Sequence, residues 1–388
     1  LTLPLTNAAA SAGAADPGRT CVRCIMDTSD PAITFDAEGV CSHCRAYEER
    51  SRLQLLPAPE REAALLRLVE ALRAAGRGRK YDCLIGLSGG VDSTYVAWLL
   101  VKRFGLRPLA VHFDNGWNSE LAVSNVERTV RTLGIDLKTF VMDWNEFRDL
   151  QLSFLKARLS SLEVPTDHGI VALLFRTAAQ EGLHHIISGS NIVTEAIMPR
   201  AWQHDYRDLR FLRAVHRRHG TVPLKRFPQM SLFHWLYYVY VRRIRYIPIL
   251  NLTDFNKQAA MDVLVKELDW RPYRYKHGES IFTRFFQNYW LPTKFGYDKR
   301  KPHLSTLVNS GQITRDEALA EMNKPLYYGR EADEELDYVA KKFRISRAEL
   351  DDLVVGGSGH ASDFPNNEWV FKRAVPFMAF VKRRATSV

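Results

Sequence analysis

The sequence predicts an α/β fold: a parallel sheet with helices on both faces, preceded by a small four-cysteine module and followed by a basic, mostly helical region. Three observations carry this reading. Strand-like and helix-like segments alternate from about residue 83 to residue 188, the pattern of successive βαβ units. Cys21, Cys24, Cys41 and Cys44 form two C-x2-C pairs. Residues 201–303 hold 20 Lys and Arg against 8 Asp and Glu, whereas the whole chain carries a net charge of only +10, so the remainder is slightly acidic.

At 388 residues the chain is long enough for two or three domains. Its 46% hydrophobic and 25% charged residues are globular proportions, which excludes disordered and fibrous classes. No apolar run approaches the roughly 20 residues of a membrane span. The strongest candidate, Ser231 to Tyr240, is stopped by Arg242, Arg243 and Arg245. The first 20 residues lack the basic start and apolar block of a signal peptide, so a cytoplasmic location is expected.

Residues 1–18 read as a flexible arm and 19–50 as the cysteine module. Sixteen residues separate the two Cys pairs, a spacing that suits a four-thiolate zinc site. The intervening run, with Asp30-Pro31 and Glu38-Gly39, suits a returning hairpin. Disulfides and an iron–sulfur cluster are the rival readings, and the lack of a secretion signal argues against the first. A closed site of this kind is structural rather than catalytic, and His43 is expected at the surface. Cys83 lies in the apolar run Tyr81–Leu87 and reads as a buried strand residue.

A first nucleotide-type domain is expected over residues 59–200. Pro59–Ala75 shows helical spacing, Cys83–Leu87 reads as a strand, Ser93–Phe104 as a helix and Pro108–Phe113 as a strand. Leu121–Leu133 reads as a helix, Lys138–Met142 as a strand, His168–Gln180 as a helix and His185–Ser188 as a fourth strand. Residues 201–355 form the basic region, and 356–388 a linker and tail that opens with Gly356-Gly357-Ser358-Gly359. The tail is basic and aromatic enough for a membrane-surface contact. The aromatic segment Phe233–Tyr240 reads as a buried helix, with a partner-docking surface as the alternative.

The most informative stretch is Ser88-Gly89-Gly90-Val91-Asp92-Ser93, set between a strand and a helix that continues with Thr94. The glycines let backbone N–H groups approach an anion, and the helix start faces the same point. There is no Walker Gly-Lys-Ser/Thr, so serines rather than a lysine would hold phosphate, with Asp92 organising the loop or Mg2+. His112 and Asp114 follow the second strand, and Gly189 and Asn191 the fourth. All four sit where open α/β sheets bind ligands. Asp114 could serve ribose, substrate or metal, or be a simple turn.

The S-G-G-V-D-S loop resembles that of the N-type ATP pyrophosphatases, the PP-loop superfamily, which implies an adenine-nucleotide α-hydrolase-like, Rossmann-like sheet. The resemblance implies attack of a substrate oxygen on the α-phosphate of ATP, loss of pyrophosphate, and displacement of AMP by a nucleophile. Thr194–Pro199 with Trp202, Lys276–Ser280, Phe282–Gln287, Leu291–Gly296, Asp298–Arg300 and Lys301–Ser305 are similar to bacterial N-acetyl sugar amidotransferases of surface-polysaccharide pathways. That likeness runs from about Cys21 to Val355. It implies conversion of the acetamido group of an N-acetylated, nucleotide-linked sugar into an acetamidino group. The cofactors implied are ATP, Mg2+ and structural Zn2+.

For that chemistry Lys276, His277, Lys299, Arg300 and His303 supply cations, and Glu195 and Glu279 would orient an amine or take its proton. With Asp92, the residues Glu195, Lys276, Glu279 and Arg300 are the expected catalytic set. No cysteine is left for a glutaminase, so the resemblance implies a separate glutaminase and a cyclase-like subunit as the ammonia supply. Nucleic acid is not an expected partner. The alternatives are a tRNA thiolation enzyme of the same superfamily and a non-catalytic nucleotide-binding scaffold.

Overall fold

The computed structural model describes residues 18–275 and 278–370. Five parallel strands form one sheet in the order β3-β2-β1-β4-β5. They are β1 (Cys83–Gly86), β2 (Pro108–Asp114), β3 (Asp136–Val141), β4 (His185–Ser188) and β5 (Arg245–Pro248). The chain leaves β1 toward β2 on one side and later returns to place β4 on the other. Leu84 is thus opposite Leu109 and also opposite Ile186. The crevice beyond the carboxyl ends of β1 and β4 is the switch point of such a sheet. The parallel sheet with helices on both faces is the α/β architecture that the alternating segments predicted.

Strand side chains alternate between two hydrophobic layers, as the pleat requires. Cys83 and Ile85 join Leu65, Leu72, Val96 and Leu264 on one face. Leu84, Leu109 and Ile186 join Ala172 and Leu174 of the helix Val164–Gln180 on the other. The third layer is aromatic and lies outside the sheet. Phe147, Phe154, Phe211, Phe282, Phe285, Trp290 and Phe343 pack together and tie the carboxyl-terminal helices to the α/β unit.

The structure departs from the sequence reading in several places. β5 comes from the basic segment after residue 200, and nothing in its short Arg-Tyr-Ile-Pro run marks it as a strand. It survives at the sheet edge, where a proline and cations are tolerated. The helix Trp144–Lys156, which the sequence reading does not assign, is capped by Asp143 and buries Phe147, Leu150, Phe154 and Leu155. Phe233–Tyr240, read as a buried helix, is helical over Leu232–Leu236 and Tyr237–Val241 but has no buried residue. In the linker, Gly359 packs closely, since a Cβ there would stand 2.1 Å from the Ala157 carbonyl oxygen, while Gly357 has open space around it. The 1–17 part of the amino-terminal arm and the tail from residue 371 lie outside the described residues.

Candidate active site and metal centre

The phosphate-type loop is built by β1 running into the helix Val91–Trp98. Gly89 takes φ +85°, a conformation that favours glycine, and so turns the chain. Its carbonyl accepts hydrogen bonds from Trp270 Nε1 at 2.9 Å and the Tyr273 hydroxyl at 3.0 Å, which pin the loop from behind. Within the loop, Ser88 and Ser93 hydroxyls lie 3.2 Å apart, Gly90 N donates to Ser88 Oγ at 3.3 Å, and Ser93 Oγ donates to Gly90 O at 3.2 Å. The space in front is held open by missing side chains. A Cβ on Gly90 would meet Glu279 Oε1 at 3.1 Å, and one on Gly189 would meet the Asp92 carbonyl carbon at 2.9 Å.

This loop lines one part of a cavity of about 880 Å3 whose wall includes Ser88, Gly90, Val91, Asp92, Ser93, His112, Gly189, Glu195 and Glu279. A cavity of that size sits near the top of the roughly 300–1,000 Å3 typical of ligand sites. The loop glycines and free helix start form a cradle suited to phosphate oxygens. Asp92 and Glu279, on either side of Gly90, offer the hard oxygen donors that suit Mg2+.

The same cavity is lined by Glu163, Asp167 and Lys299, of which the sequence reading had named Lys299 alone. Glu163 Oε2 accepts from Thr283 Oγ1 at 3.1 Å, and its Oε1 is buried without a hydrogen-bond partner. Burial, and then the charge of Asp167, push Glu163 up to about 8. Burial also raises Asp167 to about 6, against the pull of Lys299. The lysine itself is lowered by burial, while Glu163, Asp167 and Glu195 act to hold its charge. Two carboxyls with separated proton affinities beside one cation form a proton-handling group. Glu163 and Asp167 stand four residues apart at the start of one helix, the only signal by which the sequence could have shown them.

Other expected site residues have structural employment. Arg300 does not line the cavity. Its guanidinium is held by Asp298, with Nη2 to Oδ2 at 2.7 Å, and donates to Lys324 O at 2.7 Å. Asp114 is the turn of the two readings: Oδ1 accepts from Gly116 N at 2.9 Å and from Asn118 Nδ2 at 3.2 Å. His112 reaches the wall, but Nδ1 donates to Leu87 O at 2.7 Å and Nε2 accepts from Asn118 Nδ2 at 3.0 Å, so both nitrogens brace the loop. Asn191 caps the next short helix through Thr194 N at 2.9 Å, and Thr94 is fully buried below the phosphate loop. Lys276 and His277 lie outside the described residues. His303 lines the cavity.

The four sulfurs of Cys21, Cys24, Cys41 and Cys44 all lie within 4.8 Å of one another, and all four residues are buried. The separations Cys21–Cys44, Cys24–Cys41 and Cys41–Cys44 are 3.9, 3.7 and 3.7 Å. A tetrahedral zinc with Zn–S bonds of about 2.3 Å spaces its sulfurs about 3.8 Å apart, so the donor set fits the ion. Amide N–H groups of Arg23 and Cys41 point at Cys21 Sγ at 3.4 and 3.2 Å, as suits a thiolate. His43 is not a surface residue as expected, since its Nε2 pairs with the buried Asp30 at 2.7 Å. The module docks beside the cavity. Asn309 Nδ2 donates to Cys44 Sγ at 3.3 Å, Arg315 Nε to Cys24 O at 3.1 Å, and Arg50 to Ala196 O at 2.8 Å, next to Glu195. Cys83 is fully buried and burial pushes its thiol up, so it is no nucleophile.

Comparison with known proteins adds to this geometry. Residues 279–376 match the family model described as LPS biosynthesis protein WbpG-like, C-terminal domain. An uncharacterized protein of Methanocaldococcus jannaschii is 27% identical over 116 residues, 29% of this chain and 39% of that protein. GMP synthase (glutamine-hydrolyzing) of Pyrobaculum aerophilum is 38% identical over 76 residues, 20% of this chain and 15% of that one. The chain thus spans well under half the length of either. Among solved structures, NMN synthetase from Francisella tularensis is 15% identical with a TM-score of 0.32, over 75% of this chain and 98% of that one. NH3-dependent NAD synthetase from Campylobacter jejuni is 16% identical with a TM-score of 0.27, over 36% and 58%. The residues that match the WbpG-like C-terminal domain model, 279–376, supply Glu279, Thr283, Gln287, Lys299 and His303 to the cavity, whose other wall is built by the five-stranded parallel sheet and its phosphate-type loop.

Proposed function

We propose that the protein is an ATP-dependent, AMP-forming amidotransferase that converts the acetamido group of an N-acetylated sugar into an acetamidino group. One observation carries this reading: a single cavity joins the phosphate loop to the Glu163, Asp167, Glu195 and Lys299 group. An amide oxygen is a poor leaving group. Its attack on the α-phosphate of ATP forms a C–O–P bond and expels pyrophosphate. Ammonia then adds at the amide carbon, and the C–O bond breaks to release AMP with the former amide oxygen. Mg2+ held near Asp92 and Glu279 would neutralise charge on the phosphates.

The chain's own residues then have defined tasks. Ser88, Gly90, Val91 and Ser93 bind phosphate oxygens through N–H and O–H donors fixed before the substrate arrives, which is where such donors are most effective. Glu195 and Asp167 hold the incoming amine and take its proton, and Lys299 steadies charge as the imidate forms. Cys83 is buried and the other four cysteines are clustered, and the ammonia source that fits this reading is a glutaminase paired with a cyclase-like subunit, as the resemblance implies. Zinc is structural. A burial-raised Cys83 thiol also disfavours sulfur relay, and with it tRNA thiolation.

The test is turnover with ATP, Mg2+, excess ammonium and a panel of nucleotide-linked N-acetyl sugars, read as AMP formation and as acetamidino product by mass spectrometry. Both products together support the proposal. AMP that depends on a sulfide donor and not on ammonium would replace it with thiolation.

A further inference from the structure

No helix of the described residues is long and apolar enough to cross a membrane, yet one helix turns an apolar stripe to the solvent. In the helical segment Leu232–Val241, Phe233 is 81% exposed, Tyr237 44%, Tyr240 46% and Val241 66%. Their positions are i, i+4, i+7 and i+8, the spacing of a single helix face, and a face of this kind ordinarily packs on a core. Here the core-facing side is already supplied by Trp235, Tyr238 and Val239, packed on the layer of Leu174, Phe175 and Ile244. Tyr238 stacks on Phe175 with ring centroids 5.8 Å apart, and Arg242 Nη2 anchors the helix end on Ala179 O at 2.7 Å. The outward stripe is therefore held in place from behind.

Its charge setting is one-sided. Residues 209–253 contain nine Lys and Arg and no Asp or Glu. Arg243 and Arg245 follow the stripe and are exposed, and Arg245 opens the edge strand β5. Exposed aromatic and aliphatic side chains beside cations, without acids, match the composition of a segment that lies in the interface of an anionic bilayer. The stripe is also narrow. Its four side chains expose roughly 450 Å2, taking about 150–250 Å2 for each aromatic side chain. A stable protein interface needs about 800 Å2 from each partner.

We propose that this face docks on an anionic phospholipid surface. Phe233 and Val241 enter the acyl boundary, Tyr237 and Tyr240 sit at headgroup level, and Arg243 and Arg245 pair with lipid phosphates. Tyr246, the residue after Arg245, has its hydroxyl 2.7 Å from Ser188 Oγ in the cavity wall, so docking brings the bilayer surface close to the site. The inference does not depend on the reaction proposed above.

The experiment is co-sedimentation of the full chain with vesicles of phosphatidylcholine alone or mixed with phosphatidylglycerol, at low and high salt. Binding is expected to the mixed vesicles only and to weaken with salt. R243Q/R245Q should weaken it about 25-fold, at about fivefold for each cation near an anionic surface. F233S/Y237S should weaken it further while the thermal transition stays in place. K382Q/R383Q/R384Q, in the tail, should leave most of the binding. The proposal is overturned if no vesicle binds, if the tail substitutions alone abolish binding, or if the stripe substitutions dissolve a dimer in size-exclusion chromatography without changing vesicle binding.

Discussion

Replacing Glu163 with glutamine tests the proton-handling group directly. Glu163 and Asp167 stand at about 8 and about 6, against ordinary values of 4.5 and 3.8. Both are raised, so the folded protein keeps protons that the unfolded chain has already released. Their contribution is complete below the unfolded values and is lost as pH rises, for Glu163 until about pH 8. Inside that window each retained proton costs about 1.4 kcal/mol per pH unit. From pH 5 to pH 7 Glu163 therefore lowers stability by at most about 3 kcal/mol, and by less where cavity water screens the charge. Glutamine keeps the shape and the contact with Thr283 but cannot ionise. The expected result, from denaturant unfolding at pH 5, 6 and 7, is a flatter stability–pH curve for E163Q. Asp167 and Lys299 remain in both proteins, so the difference reads Glu163 together with its coupling to those two groups. Parallel curves for the two proteins would refute the argument.

Three further outcomes follow from the geometry. G189A drives a Cβ to 2.9 Å from the Asp92 backbone; a shift of about 1 Å in the loop should cost about 100-fold in ATP-dependent AMP formation, with the fold retained by circular dichroism. C44S should reduce zinc content from about one ion per chain toward none, by elemental analysis, and lower Tm. Because the module holds Ala196 and the helix Arg300–Asn309, C44S should also lower turnover. R300K loses the fork on Asp298 and should destabilise by about 1–2 kcal/mol in thermal unfolding while leaving KM for ATP unchanged. A large rise in that KM would return Arg300 to the site.

Much was legible in the sequence because the signals are local. β1, β2 and β4 are short apolar runs with turns between them, and their alternation with helices specifies a parallel sheet. The serine and glycine loop is contiguous, so its turn, its donors and its place at a helix start can all be read in order. The two Cys pairs have the spacing of one tetrahedral site, and the sulfurs do meet. Arg300 and Asp114 show where such reading stops. Residue type shows what a side chain can bind, and only its neighbours show what it is already bound to.

What tertiary structure decided is the set of meetings between distant segments. Glu163 and Asp167, more than 130 residues before Lys299 in sequence, face it only because one helix of the sheet packs beside the carboxyl-terminal unit. β5 becomes a strand through hydrogen bonding to β4 at an edge that tolerates its arginine and proline. The aromatic segment Phe233–Tyr240 reads as a buried helix or as a docking surface from its residues alone, and only packing decides that none of them is fully buried. Composition, local spacing and loop chemistry are properties of the chain itself. Burial, pairing and proton affinity belong to the packed molecule, because each depends on which remote groups exclude water from the same place.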